Sequence, residues 1–197
     1  APSGVTVNGT VTAAGTGVIT LGDSGTGLTI GGTSTIGGTS TGQITTGAIA
    51  LNNNLTLGAG VATPISLTTV TGPSSGTANL TFDTTGSITV SGAVGTNIGT
   101  LTITNSGGAT FSSTVAASTV TLTNTTGTIT FTGALTATTL NTATQSYNLA
   151  LNASTGTITN AVTFSNTGTL ALGASGGILT FNGGLTAIAP SASTLKG

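Results

Sequence analysis

The chain has 197 residues, and only Asp23, Asp83 and Lys196 are charged. It contains no His, Cys, Met or Trp, so it lacks the common zinc ligands and the commonest general acid–base side chain. One lysine does not supply the basic surface that nucleic-acid binding requires, and two carboxylates cannot build several calcium sites. We therefore expect a protein that is not an enzyme, with no catalytic residue, cofactor, metal site or nucleic-acid partner.

The low charge also predicts how the chain works. Ordinary globular domains are about 25% charged, whereas this chain is 2% charged and has a net charge of −1. Soluble proteins use net charge to keep molecules apart, so we expect this chain to act in an assembled or tethered state. Disordered chains combine low hydrophobicity with high net charge. A hydrophobic content of 36% and a mean hydropathy of +0.46 therefore favour a folded core.

From the N-terminus onward, apolar and polar residues alternate in short runs, which Gly, Asn, Ser and Thr separate. A period of two indicates a β-strand, and the 51 threonines favour strands over helices. We predict a strand at each run and almost no helix. The runs in chain order are Val5/Val7, Ile19/Leu21, Leu28/Ile30, Leu55/Leu57, Ile65/Leu67, Leu80/Phe82, Ile88/Val90, Leu101/Ile103, Val120/Leu122, Ile129/Phe131, Leu149/Leu151, Val162/Phe164, Leu170/Leu172 and Leu179/Phe181.

The spacing of these runs predicts the fold. In the second half they begin at positions 120, 129, 140, 149, 162, 170 and 179, and short strands at such spacing fit a sandwich, a barrel or a parallel β-helix. Asn-Gly, a strong hairpin signal, occurs only at Asn8-Gly9 and Asn182-Gly183. We therefore predict an all-β fold, an uncapped parallel β-helix (β-solenoid). Turns of roughly 18–28 residues would give about seven to eleven turns. The alternative is a β-sandwich subunit that joins its neighbours by strand donation.

The two ends of the chain are similar in sequence. Residues 1–9 match residues 189–197 at six of nine positions, if Val7/Leu195 is counted. We interpret 1–188 as one β-solenoid repeat unit and 189–197 as the start of the next repeat or an inter-subunit contact segment. Identical subunits joined head to tail form an open filament. The candidate self-assembly residues are Ala1, Pro2, Val5, Val7, Ala189, Pro190 and Leu195.

Several segments resemble a known class of protein. Gly-Ser-Ile-Thr-Val-Ser-Gly-Ala-Val-Gly-Thr at 86–96, and the segments 161–173 and 179–187, resemble the β-strand repeats of large bacterial surface proteins. These are the passenger repeats of autotransporter, haemagglutinin-like and giant adhesin proteins. The resemblance implies a secreted or cell-surface β-helix with an adhesive or scaffolding role, whose partners are copies of itself, surface glycans, and host or neighbouring cells. It implies no catalytic or ligand residue.

We therefore expect a structural subunit or repeat segment of an extracellular filament, adhesin stalk or biofilm-matrix fibre, assembled end to end. No apolar run approaches the ~20 residues of a membrane-spanning helix, so we expect no membrane insertion. An ice-binding solenoid is a first alternative, suggested by the pairs Thr121/Thr123, Thr128/Thr130 and Thr136/Thr138. A second alternative is a glycan-binding or glycan-cleaving β-helix. Cleavage would need a carboxylate pair, for which only Asp23 and Asp83 are available.

Overall fold

The structure is a computed structural model that describes residues 4–23 and 25–197. Among these residues no helix is long and apolar enough to cross a membrane, and the regular elements are β-strands. In chain order they are β1 (Val5–Val7), β2 (Thr10–Ala13), β3 (Ile19–Leu21), β4 (Leu28–Ile30), β5 (Ser34–Gly38), β6 (Ile44–Thr46), β7 (Ile49–Leu51), β8 (Leu55–Gly58), β9 (Ile65–Leu67), β10 (Val70–Thr71), β11 (Ala78–Asp83), β12 (Ser87–Val90), β13 (Val94–Ser106), β14 (Gly108–Phe111), β15 (Val115–Thr125), β16 (Thr128–Phe131), β17 (Leu135–Thr142), β18 (Asn148–Leu151), β19 (Thr155–Ile158), β20 (Val162–Thr163), β21 (Thr169–Leu172), β22 (Ile178–Phe181), β23 (Leu185–Thr186) and β24 (Ala192–Leu195).

The strands form three faces of a coil. Face A contains β1, β4, β7 and β10, the first parts of β13, β15 and β17, and then β19 and β22. Face B contains β2, β5, β8 and β11 and the later parts of the same long strands. It continues into β20 and β23, because β20 packs on β17 and pairs with β23. Face C is a nine-stranded sheet, β3-β6-β9-β12-β14-β16-β18-β21-β24.

Each strand pairs in parallel with the strand one turn before or after it. Leu28, Ile49 and Val70 are consecutive partners on face A, spaced 21 residues apart. The nine strands of face C correspond to nine turns of the coil. The predicted all-β parallel solenoid is therefore confirmed, and nine turns fall within the predicted range. A sandwich would need antiparallel sheets packed face to face, so the strand-donating sandwich is not the fold.

The inward side chains form apolar columns that run along the coil. On face C, one column contains Ile19, Ile44, Ile65, Ile88, Ala109, Ile129, Leu149 and Leu170 in register. Phe111 and Phe131 stack in the neighbouring column with ring centroids 4.8 Å apart. Because the polar residues between them face outward, the alternating pattern of the sequence directly produces a buried core one side chain deep on each face.

Buried hydroxyl groups link successive turns at the corner between faces B and C. The Ser40 hydroxyl donates to the Gly17 carbonyl oxygen at 2.5 Å, and the Thr84 hydroxyl donates to that of Thr63 at 2.5 Å. Between them, the Thr63 hydroxyl donates to the Ser40 carbonyl oxygen. These side-chain hydrogen bonds add to the backbone hydrogen bonds that join adjacent turns at this corner, such as Thr41 N–H to the Gly15 carbonyl oxygen at 2.9 Å.

Candidate functional site: the two end turns

The last turn, formed by β22, β23 and β24, exposes large apolar side chains. Leu195 is 77% exposed and Leu185 43%, although they continue the inward columns of Leu172 and Val162. Leu151 and Leu172, in the same inward column as Leu195, are only 2% and 7% exposed because another turn covers them. The described residues thus leave the outer edge of the last turn as an uncovered apolar layer.

This outer edge is concave. A depression of about 310 Å³ lies there, between the ends of β22 and β24. It is lined mainly by apolar groups, with Leu179 and Phe181 from β22, Leu185 from β23 and Leu195 from β24. Lys196 lies at its rim and is the one charged residue in its lining. An apolar surface of this shape suits a layer of aliphatic side chains.

The first turn, formed by β1, β2 and β3, is the matching layer at the other end. Val5, Val11 and Leu21 are half-buried and pack against the core from one side. Val18 is 69% exposed. Among the described residues, β1, β2 and β3 each pair with a strand of the second turn only. Exposed strand edges of this kind favour pairing with a further strand.

The sequence-predicted assembly residues lie at both of these ends. Ala1 and Pro2 lie outside the described residues. Val5 and Val7 belong to β1 on the first turn, and Val7 is buried. Ala189 and Pro190 precede β24 on the last turn, and Leu195 is within β24. The candidates that the structure describes therefore form two groups at opposite ends, and within a chain no described member of one group lies against the other.

The two similar terminal segments occupy different positions in the coil. Val5 and Val7 are on face A, whereas Leu195 is on face C. The matched positions 5–7 and 193–195 therefore lie on different faces. The repeat boundary between 188 and 189 stays a prediction.

The two aspartates do not form a carboxylate pair. Asp23 follows β3 on the first turn, and Asp83 ends β11 on the fourth turn, so three layers of about 4.8 Å separate them along the axis. The Asn105 side-chain amide donates to Asp83 Oδ1 at 2.7 Å, and Asn124 donates to Asn105 in turn at 3.0 Å. Asp83 thus begins a ladder of polar side chains along the surface. Its hydrogen bonds link adjacent turns and do not form a pair of carboxylates.

The side chain of Asp23 accepts hydrogen bonds from the backbone of its own turn. Its Oδ1 accepts the backbone N–H groups of Gly25 at 2.8 Å and Thr26 at 2.7 Å. These hydrogen bonds favour the ionised carboxylate and lower the pKa of Asp23 below its ordinary value. The carboxylate is fully exposed, so the first turn carries a fixed negative charge at its corner between faces C and A.

The threonine pairs proposed from the sequence lie on separate faces. Thr121 is on face B, Thr130 on face C and Thr136 on face A, so the three pairs do not combine into one surface. Parallel register instead builds a column that sequence spacing did not show, because its members are separated by 19 to 25 residues. This column on face B contains Thr10, Thr35, Thr56, Thr81, Thr102 and Thr121.

Comparison with known proteins gives no relative. No protein-family model, curated protein or solved structure matches the chain.

Proposed function

We propose that the chain is a structural segment of an extracellular surface filament, adhesin stalk or biofilm-matrix fibre, in which solenoid units join end to end. The observation that carries this proposal is the uncovered apolar layer of the last turn, where Leu195 is 77% and Leu185 43% exposed. Monomeric soluble proteins rarely leave such a contiguous patch open. A turn of another solenoid unit placed over this layer would bury it and extend the parallel ladders on the three faces.

The composition supports the same proposal. A chain with three charged residues has little electrostatic repulsion to oppose association. Its partners are copies of itself, with surface glycans or neighbouring cells as contacts of the assembled fibre, and its place is outside the cell. The proposal assigns the chain a mechanical role and no chemical reaction.

The experiment is a concentration series of the purified chain, analysed by sedimentation velocity and negative-stain electron microscopy. We expect rods that grow in length with concentration while their width stays that of one solenoid. Leu195→Asp places a charge in the exposed apolar layer and should raise the concentration needed for rods at least tenfold, because burying an unpaired carboxylate is costly. Thr110→Asp, on the outer side of face C, is the matched control and should assemble normally. Monomers alone at high concentration would contradict the proposal.

A second candidate function is ice binding, and the threonine column on face B favours it. Its six members are in register, one per turn, at a spacing of about 4.8 Å. Thr100, Thr119 and Thr139 form a second column beside part of it. Such a regular array of hydroxyl and methyl groups could order water at fixed positions.

The test of this candidate is thermal hysteresis. If face B binds ice, Thr102→Tyr should remove most of the activity because the ring interrupts the threonine column, whereas Thr130→Tyr on face C should have little effect. A wild-type chain without thermal hysteresis would exclude ice binding and leave the filament proposal untouched.

A further inference from the structure

We propose that the last turn of one copy stacks in register on the first turn of a second copy, with Lys196 beside the second copy's Asp23. This inference rests on the proposed end-to-end assembly and specifies its interface. The occupant of the apolar depression on the last turn is then the first turn of another copy, oriented head to tail with each face continuing across the joint.

The hydrogen-bond pattern of face C defines the register. At the end of its strands, the residue after a strand donates its N–H to the carbonyl of the last residue in the strand one turn earlier. Gly47 donates to Leu21 at 3.1 Å, and Lys196 donates to Leu172 at 2.8 Å. The same pattern holds for Ser91, Ser112, Thr132, Asn152 and Gly173. Continued by one turn, it pairs Gly22 N–H of the second copy with the Leu195 carbonyl of the first.

In this register the apolar columns continue across the joint. Leu195 belongs to the column that begins with Leu21, and the second copy's Leu21 would cover it. On face A, the column that begins with Val5 reaches Leu179, so the second copy's Val5 would cover Leu179. The aliphatic side chains of the first turn would then enter the depression on the last turn.

The charges of the two end turns are complementary in the same register. Lys196 directly follows β24 and Asp23 is the second residue after β3, both at the corner between faces C and A, so in this register Lys196 is opposite Gly22 and diagonal to Asp23. They are the only charged residues of the first and last turns, and they have opposite signs. Head-to-tail stacking places them one layer and one residue apart, whereas neither head-to-head nor tail-to-tail stacking can bring opposite charges together. Only the head-to-tail orientation therefore gains an attraction between these charges across the joint.

Cysteine cross-linking tests the register, because the chain has no cysteine of its own. Thr20 and Thr194 begin and end the same outward column of face C, so Thr20→Cys and Thr194→Cys should form a mixed disulfide when the two variants are combined and oxidised. Neighbouring strands are about 4.8 Å apart, within the range that a disulfide spans. Thr6→Cys with Thr180→Cys is a second matched pair, on face A.

The mismatched control combines Thr20→Cys with Thr180→Cys, which are on different faces. We expect the two matched mixtures to give roughly ten times more mixed dimer than this control, because the Cα separation at a disulfide is restricted. Equal yields from matched and mismatched mixtures would overturn the proposed register. So would a dominance of disulfide-linked homodimers of the Thr20→Cys variant, because two first turns would then face each other.

Charge variants test the pairing. Lys196→Asp should raise the concentration of unassembled protein roughly three- to tenfold, because it replaces a weak surface attraction by repulsion. Asp23→Asn should give a smaller increase and keeps a side-chain oxygen for the N–H groups of Gly25 and Thr26. The double variant Lys196→Asp/Asp23→Lys should return towards the wild-type value. Rods that assemble equally well in all variants would overturn the pairing but leave the filament function standing, whereas a wild-type chain that forms no rods would overturn both.

Discussion

At the scale of single residues, polar groups within the core have clear consequences for stability. Thr46 occupies an inward position of face C, between Leu21 and Leu67 in the same column. It is 2% exposed, and its hydroxyl has no hydrogen-bond partner. An unpaired buried hydroxyl loses its hydration without compensation, so this position weakens the column.

We expect Thr46→Val to stabilise the chain by about 1–2 kcal/mol, because it removes the unpaired hydroxyl and keeps the shape of the side chain. The measurement is the free energy of unfolding from denaturant titration. Thr45→Val is the matched control: its side chain points outward, so its effect should lie within about 0.5 kcal/mol. A destabilised Thr46→Val variant would show that the hydroxyl has a partner.

Among the residues that the structure describes, Tyr147 is the titratable residue whose side chain is buried. Its hydroxyl donates to the Leu122 carbonyl oxygen at 3.3 Å. Burial, partly offset by hydrogen bonds to Thr142 and Ala143, raises the pKa of Tyr147 to about 12. An unfolded tyrosine titrates near pH 10. Between these values the folded chain holds a proton that the unfolded chain loses, so the folded state becomes less stable as pH rises.

Tyr147 therefore predicts the alkaline limit of stability. Its contribution to the free energy of unfolding should be constant below pH 10 and fall by on the order of 2 kcal/mol between pH 10 and 12. Tyr147→Phe should remove this fall, at a cost of about 1 kcal/mol at neutral pH for the lost hydrogen bond. Circular dichroism measures unfolding of both proteins across this pH range. An equal fall in the free energy of unfolding of wild type and Tyr147→Phe would contradict a buried phenol.

At the scale of elements, the corners limit which residues fit because successive turns lie in contact. A β-carbon added at Gly133, before β17, would overlap the backbone of Ser113 and Thr114 one turn earlier. At Gly95, within β13, an added β-carbon would meet only the Val70 carbonyl oxygen, at an ordinary 3.8 Å. The two glycines have different roles, although both occur in short Gly-containing segments of similar sequence.

We expect Gly133→Ala to destabilise the chain by about 1–3 kcal/mol, as overpacking does. Gly95→Ala is the control and should change stability by less than about 0.5 kcal/mol. Thermal unfolding of the two variants measures the difference. Similar stability of both would mean that adjacent turns are farther apart at this corner than the structure places them.

The strands show what sequence alone could predict. Val5/Val7 and Leu28/Ile30 alternate with polar residues, and both pairs lie in short strands with inward apolar side chains. The long strand β13 was not predicted as one element, because Gly95 and Gly99 interrupt its pattern. Its continuity depends on pairing with neighbouring turns through β-bulges, which is tertiary information that local propensity does not contain.

At the scale of the whole molecule, the spacing of the apolar runs and the scarcity of hairpin signals predicted a stacked parallel fold, but not which residues pair with each other. The partners Thr81 and Thr102 are 21 residues apart, and Asp83 and Asn105 are 22 apart. Loop lengths change from turn to turn, so the register cannot be read from a fixed period. The proposed pairing of Lys196 with Asp23 could not be predicted from the sequence for the same reason. It depends on β3 and β24, the strands that precede these residues, lying on the same face.

High-resolution cryo-electron microscopy of the assembled material is the most direct test of the central claim, that solenoid units extend one another end to end. We predict a continuous parallel β-layer spacing of about 4.8 Å along the rod axis. For the nine turns of each copy, the axial repeat should be about 43 Å, nine times the spacing between strands. Beaded rods whose layers are interrupted between copies, or strands running along the rod axis, would contradict it.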